Sequence, residues 1–163
     1  MMCPQNSFFH PNGSVYMGEK AEILKIRLES YLPSFSGMKV FFREKHAEAD
    51  DFFSNDKTHS IVNSFDFNVY DSFKKYANVF YDKTRYSAIY NTGFDILLRK
   101  ENVTSVVIVG VETHTSVLFT AEEIRNRNIS VCIVEPLVAS RDDFMHNQAV
   151  SLMINYLGVK QYA

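Results

Sequence analysis

The chain has 163 residues, of which 46% are apolar, so it can build one sizeable core, and we expect a single domain over residues 1–163. Its 17 Lys and Arg against 19 Asp and Glu leave a formal charge of −2, which disfavours nucleic acid and anionic membranes as partners. No apolar run approaches the roughly 18 residues of a membrane span, and the first residues lack a secretory pattern, so we expect a soluble, cytoplasmic protein.

The first half of the chain predicts helices and strands around one long loop. Ile23, Leu24 and Leu28 recur at helical spacing, and the charged, aperiodic stretch after the first strand is typical of a surface loop that carries function. The predicted elements are a helix over residues 20–31 ended by Pro33, a strand over 38–42, a loop over 43–66, a helix over 68–76 and a strand near 78–81.

The second half alternates short β-branched runs with amphipathic stretches, which is the pattern of strand–helix–strand units. Strands are predicted over residues 106–109, closed by Gly110, and over 131–134. Helices are predicted over residues 91–100, over 116–127 with Asn128 in the left-handed conformation, and over 140–156 with a capping box that begins at Ser140. Together, these elements predict a three-layer α/β/α domain with a mainly parallel sheet.

In such sheets, ligands bind beyond the carboxyl ends of the strands. The residues to consider are therefore those that follow each predicted strand, at 43–46, 82–85, 110–116 and 135–140. Neither a phosphate-binding loop of the Walker type nor a dinucleotide fingerprint occurs, so nucleotide binding is disfavoured.

Four segments resemble the isochorismatase-like cysteine hydrolases, the superfamily that includes nicotinamidases and related amide hydrolases. They are PQNSFFHPNGS at 4–14, DKTRYSA at 82–88, the stretch 107–121 with GVETHTSV, and the stretch 135–149 with VASRD and His146. The resemblance implies the isochorismatase-like hydrolase fold, here lacking the first strand, because only Met1 and Met2 precede Cys3. Either another segment fills the place of that internal strand, or the recorded start lies too far downstream.

The resemblance also implies a catalytic triad of a carboxylate, a lysine and a cysteine. Lys83 stands at the lysine position, whereas Cys3 occupies the carboxylate position and Ser116 the cysteine position. A neutral thiol at Cys3 cannot act as the family's base at neutral pH, and a serine hydroxyl needs a strong adjacent base to become a good nucleophile.

Two interpretations of Lys83 and Ser116 stay open. In the first, a neutral Lys83 accepts the proton of Ser116, because a buried lysine without a neighbouring carboxylate has a lowered pKa, and the protein hydrolyses a small amide or similar carbonyl compound. In the second, Ser116 is an inert helix cap, and the protein is a catalytically silent family member that binds a ligand or serves as an assembly subunit.

The resemblance assigns further positions around this triad. The oxyanion hole falls on backbone amides near Glu112 and Ser116, with a cis peptide before Glu112, although a plain strand-to-helix turn is the alternative. Phe8 either lines the pocket of a planar substrate or belongs to the core.

Glu44, His46 and His59 imitate the D-x-H motif and later histidine on which nicotinamidases of this family hold a metal. Their oxygen and imidazole donors suit a divalent ion such as zinc, and the alternative is a set of polar loop residues. True isochorismatases also lack the cysteine but rely on the carboxylate, so Cys3 favours amide hydrolysis over isochorismate hydrolysis. The resemblance further implies a homo-oligomer that acts on a small-molecule substrate.

Overall fold

The computed structural model describes residues 1–53 and 57–162, which fold as alternating helices and parallel strands. In chain order the elements are α1 Asn6–Phe9, α2 Glu19–Ser34, β1 Val40–Glu44, a 3₁₀ turn Asp51–Phe53, α3 Asp71–Lys74, β2 Val79–Lys83, α4 Phe94–Lys100, β3 Ser105–Val111, a π-helical turn Thr113–Val117, α5 Leu118–Arg125, β4 Ser130–Ala139, α6 Asp143–Asn155 and β5 Lys160–Tyr162. The predicted α/β class with a mainly parallel sheet is confirmed.

The sheet has two parallel parts, β1 with β2 and β3–β4–β5, which are joined by the first residues of the chain. Met2 forms one parallel bridge with Phe42 of β1 and another with Gly110 of β3. The Met2 N–H donates to Val109 at 2.8 Å, and the Cys3 N–H donates to Phe42 at 2.9 Å. This segment therefore lies where the family's first strand is expected. Beyond it, the facing sides of β1 and β3 line an apolar cavity of about 210 Å³.

Gly110 permits the close approach of this segment to β3. Its φ is 109°, and a Cβ atom there would lie 2.2 Å from the Met2 carbonyl oxygen. We expect Gly110→Ala to lower the free energy of unfolding by about 2–3 kcal/mol, because strain and overlap combine. Gly93 also has a positive φ, but its added Cβ would meet nothing within 4 Å, so Gly93→Ala should cost only about 1 kcal/mol. Urea denaturation checks both values, and equal losses would contradict the close approach.

The core forms where the helices cover the sheet. Helices α2 and α5 pack against β4, and α6 packs against α5. Leu28, Ile124, Ile133 and Met153 are fully buried between them. Within the two described ranges, no helix is long and apolar enough to cross a bilayer.

Several helix boundaries differ from the predictions for local reasons. The helix predicted over residues 68–76 is wrong in extent, since only Asp71–Lys74 is helical and the Tyr70 N–H donates instead to the Pro4 carbonyl at 2.8 Å. The helix predicted to end at Pro33 continues to Ser34, because Pro33 lies in its last turn.

In the second half, α4 begins at Phe94, and α6 begins at Asp143 with Asp142 as its N-cap in place of Ser140. The helix predicted over residues 116–127 is divided into the π-helical turn and α5. Asn128 has the expected left-handed conformation, with a φ of 58°. The strands also extend further than the apolar runs, so β4 continues to Ala139.

Candidate active site

Four polar side chains meet where the terminal segment and the first three strands end. Glu44 ends β1, Lys83 ends β2, Ser116 lies in the π-helical turn after β3, and Cys3 follows the bridge at Met2. Parallel strands bring their carboxyl ends to one edge, which explains why residues so distant in sequence meet. Each of the four side chains belongs to a residue that is at most 3% exposed. Hydrogen bonds and charge pairs are strong in such a shielded cluster.

The Ser116 hydroxyl is the centre of this cluster. It accepts a hydrogen bond from Lys83 Nζ at 2.9 Å and donates one to Glu44 Oε1 at 3.0 Å. Cys3 Sγ lies 3.5 Å from the same oxygen. The structure thus brings together all three residues predicted as catalytic, and it adds Glu44, which sequence reasoning assigned only to a metal.

Lys83 is a buried cation with a full set of partners. Its ammonium donates to Glu44 Oε1 at 2.9 Å, to Ser116 Oγ at 2.9 Å and to the Arg85 carbonyl at 3.2 Å, which uses its three N–H groups. Burial alone would lower the pKa of Lys83, but the ion pair with the Glu44 carboxylate acts against burial, and that pKa lies above its ordinary value. The interpretation of Lys83 as a neutral base, which assumed that no carboxylate lies nearby, is therefore wrong, because Glu44 supplies a carboxylate from another strand.

Glu44 bridges two groups of partners. Oε1 contacts Lys83 and Ser116, and Oε2 lies 3.1 Å from His59 Nε2 and 3.8 Å from His46 Nε2. Burial alone would raise the pKa of Glu44, but Lys83 and then His59 outweigh it and hold that pKa well below its usual range. The side chain is consequently an anion at neutral pH.

Cys3 contributes no charge to the cluster. Burial, and then the neighbouring Glu44 carboxylate, raise the pKa of the Cys3 thiol far above its ordinary value. Cys3 therefore stays a neutral thiol and acts as a weak donor toward Ser116.

The turn that carries Ser116 is anchored by a pair between Glu112 and Arg141. The peptide bond between Val111 and Glu112 is cis, as the resemblance implies. Arg141 donates from Nε to one carboxylate oxygen of Glu112 at 2.8 Å and from Nη2 to the other at 2.9 Å. The Glu112 carbonyl accepts the Val117 N–H at 3.1 Å, which closes the π-helical turn. Glu112 thus fixes the backbone at the predicted oxyanion position, and its side chain pairs with Arg141.

Two histidines brace the same turn. His114 Nδ1 lies 2.9 Å from Ser140 Oγ, and His146 Nδ1 lies 2.9 Å from Thr113 Oγ1. Their partners belong to distant segments of the chain, so spacing alone does not reveal them.

Glu44, His46 and His59 form a buried cluster beside Ser116. One donor atom from each residue lies within 4.8 Å of the other two. Tetrahedral zinc with ligand bonds of about 2.0–2.1 Å separates its donors by roughly 3.3 Å, close to the 3.1 and 3.8 Å observed around Glu44 Oε2. Phe8, which is fully buried, packs edge-on against the His59 ring at 5.2 Å and so forms one wall of this cluster.

The two imidazoles carry unsatisfied nitrogen atoms. Among the described residues, His46 Nε2 and His59 Nδ1 have no hydrogen-bond partner. Burial lowers the pKa of His46 to about 4, so its ring is neutral at pH 7 and has a lone pair available. A buried polar atom without a partner is costly, and a divalent cation beside Glu44 Oε2 would satisfy His46 Nε2. The donor set therefore fits a metal.

Comparisons with known proteins identify the relatives of this chain. A curated relative, the uncharacterized isochorismatase family protein YaaI of Bacillus subtilis (strain 168), is 33% identical over 81 residues, which is 50% of this chain and 45% of the relative. The chain spans about half the length of the curated relatives it matches. The crystal structure of nicotinamidase PncA from Bacillus subtilis matches with a TM-score of 0.86 and 28% identity, covering 98% of this chain and 94% of that one.

A second solved structure, pyrazinamidase of Pyrococcus horikoshii in complex with zinc, matches with a TM-score of 0.87 over 99% of this chain and 96% of that one. At 22% identity, this likeness concerns the fold. The sequence model of the isochorismatase domain matches residues 4–160, nearly the whole chain. The chain therefore belongs to the isochorismatase family.

Proposed function

We propose that this protein hydrolyses the carbon–nitrogen bond of a small amide, with Ser116 as the nucleophile and Lys83 as its cationic partner. The observation that carries the proposal is the Ser116 hydroxyl, which contacts a lysine ammonium at 2.9 Å and a carboxylate at 3.0 Å. A serine held between a proton acceptor and a cation is the arrangement that nucleophilic catalysis requires.

The reaction divides into two transfers. Ser116 Oγ forms a bond to the amide carbonyl carbon and loses its proton, and the carbon–nitrogen bond then breaks as the leaving nitrogen takes up a proton. Water next attacks the serine ester, which releases the carboxylic acid and restores the hydroxyl. Lys83 stays positively charged throughout and stabilises the negative charge that develops on the reacting oxygens.

The neighbouring residues suggest how a substrate would be held. Backbone N–H groups of the turn between Glu112 and Ser116 are the proposed oxyanion site, because they lie in the π-helical turn that precedes α5 and carries the nucleophile. Phe8 is proposed to present an apolar wall to a planar substrate. Since Ser116 is fully buried, we expect only small substrates to be accepted.

Release of ammonia or amine from a panel of small amides tests the proposed function. The panel includes nicotinamide and pyrazinamide, the substrate classes that the names of the structural relatives indicate. We expect the wild-type protein to hydrolyse at least one of these amides. Silence on the whole panel would contradict amide hydrolysis and favour the catalytically silent, ligand-binding alternative.

We further propose that Glu44, His46 and His59 hold a divalent cation such as zinc. Such a metal, when bound, acts as a Lewis acid that polarises a carbonyl group or lowers the pKa of bound water. The chain's own part is to hold two imidazoles and a carboxylate in a dry site next to Ser116. Phe8 helps to exclude water from it.

Zinc is expected to bind and stabilise the folded protein. At a free zinc concentration of 100 times Kd, binding adds about 2.7 kcal/mol to the free energy of unfolding, because the unfolded chain lacks the assembled site. Calorimetric titration and the thermal midpoint measure this effect. His46→Asn should remove most of it, and the matched His10→Asn variant, whose ring packs on Phe65 outside the cluster, should keep it. Equal zinc binding by both variants would contradict the site.

A cytoplasmic location stays a prediction that rests on the sequence pattern, and a homo-oligomeric state stays a prediction that rests on the family resemblance. Light scattering coupled to size-exclusion chromatography measures the second of them. We expect a mass that is a multiple of 18.8 kDa, and a mass of one chain at micromolar concentration would contradict it.

A further inference from the structure

The carboxylate of the family triad is missing at position 3, and Cys3 does not replace its charge. Cys3 is fully buried and contacts Ser116 as a neutral thiol at 3.5 Å. A serine nucleophile needs a neighbour that accepts its hydroxyl proton, and a neutral thiol is not such an acceptor. Another side chain must supply this role if Ser116 reacts.

Glu44 reaches the reacting oxygen from a different strand. Its Oε1 lies 3.0 Å from Ser116 Oγ and 2.9 Å from Lys83 Nζ, and the register of β1 with β2 pairs Glu44 with Lys83. The Gln5 side chain binds both backbone groups of Glu44, at 2.6 Å to its N–H and 2.9 Å to its carbonyl. The pairing of β1 with β2 and the contacts with Gln5 hold the Glu44 backbone in place, and they thereby fix where its carboxylate lies.

The two carboxylate oxygens of Glu44 contact different groups. Oε1 faces Ser116 and Lys83, and Oε2 faces the imidazoles of His46 and His59. The resemblance gives aspartate at this position of the metal motif, and an aspartate is shorter by one carbon–carbon bond of about 1.5 Å. The additional methylene group is what carries Oε1 to Ser116.

We propose that Glu44 replaces the missing triad carboxylate and is the catalytic base for Ser116. This inference rests on the proposed amide hydrolysis. As Ser116 Oγ bonds to the carbonyl carbon, its proton passes to Glu44 Oε1, and the same proton goes to the nitrogen when the carbon–nitrogen bond breaks. In the second transfer, water gives a proton to Glu44 as its oxygen attacks the ester, and that proton returns to Ser116 Oγ. Lys83 remains a cation beside both oxygens.

Sulfonylation of Ser116 by methanesulfonyl fluoride, a reagent small enough for a buried hydroxyl, tests this role without a substrate. The reagent forms an oxygen–sulfur bond at Ser116 and loses fluoride, and mass spectrometry measures the rate in zinc-loaded and zinc-free protein. Glu44→Asp should react about 100-fold more slowly, within the range for loss of a general base. Zinc titration of the same variant should still show binding, because a carboxylate remains beside the histidines. Glu48→Asp, at an exposed position of the following loop, is the matched control and should react as the wild type does.

Restoring the family's carboxylate gives the decisive comparison. Adding Cys3→Asp to Glu44→Asp should recover at least about tenfold of the lost labelling rate, because a base then contacts Ser116 from position 3. A wild-type rate for Glu44→Asp, or no recovery in the double variant, would overturn the inference alone. If Glu44→Asp fails to fold, Glu44→Gln with and without Cys3→Asp gives the same comparison. A wild-type protein that takes no label and hydrolyses no amide would overturn both the inference and the proposed function.

Discussion

Ser116→Ala is expected to reduce amide turnover by about 10³-fold or more, since removing a nucleophile leaves only binding and the oxyanion site. The variant keeps the contact between Lys83 and Glu44, so its fold should persist. Steady-state release of ammonia measures the loss, and circular dichroism checks the fold. Ser7→Ala is the matched control, because Ser7 is also fully buried and bonds another side chain, Ser60 Oγ at 2.9 Å, but touches neither Ser116 nor Lys83.

Ser116→Cys separates the loss of a nucleophile from the loss of a pocket. A thiol at this position restores the family's nucleophile beside Lys83, so we expect this variant to retain turnover. If Ser116→Ala kept wild-type turnover, the serine mechanism would be wrong. If only Ser116→Cys were active, the pocket would be intact but Ser116 itself would not be the nucleophile.

Lys83→Met is expected to lower the free energy of unfolding by about 3–5 kcal/mol, the usual cost of leaving one charge of a buried pair without its partner. Glu44 would lose a 2.9 Å contact and keep its negative charge in a site that excludes water. Such a loss is large against the roughly 5–15 kcal/mol by which domains are stable. Urea denaturation measures it directly.

An exposed ion pair gives the control for this experiment. Lys74 contacts Asp71 at 2.5 Å, but both side chains are largely exposed, so Lys74→Met should cost less than about 1 kcal/mol. Adding Glu44→Gln to Lys83→Met should recover part of the loss, because no unpaired charge then remains. Similar losses for Lys83→Met and Lys74→Met would show that the buried pair is not a major source of stability.

Hydrophobic patterning predicts the central elements of this fold well. The apolar run at residues 106–109 lies inside β3, and the run at 131–134 lies inside β4, because strands buried on both faces need continuous apolar sequence. Hydrophobic patterning does not predict two of the short elements, β5 and α1. All three residues of β5 are exposed, and helix α1 has only four residues, so neither has a periodic signal.

The position of Met1 and Met2 in the sheet could not be predicted from the sequence. Met1 and Met2 are too few to form an apolar run, and the bridges of Met2 depend on two strands that lie far along the chain. Only Gly110 carries a local signal, because its positive φ lets the Met2 backbone approach. Such a contact depends on tertiary packing, which local sequence patterns do not contain.

The sequence predicts which residues form the candidate site, but it does not predict which of them contact each other. Family motifs identified Lys83, Ser116 and Cys3, and the structure places Lys83 and Cys3 in contact range of the Ser116 hydroxyl oxygen. The second role of Glu44 depends on strand register and on the length of one side chain. Motif comparison treated Glu44 as an aspartate substitute, and it therefore missed the contact that also changes the charge state of Lys83.

The proposed hydrolysis depends on a covalent bond between Ser116 and the substrate. To detect this bond, the wild-type protein is quenched in acid during the first turnover of an amide from the panel, and any acyl group is located by peptide mass spectrometry. We expect an acyl group on the peptide that contains Ser116, and none after Ser116→Ala. An acyl group on Cys3, or turnover with no acyl group on any residue, would contradict it.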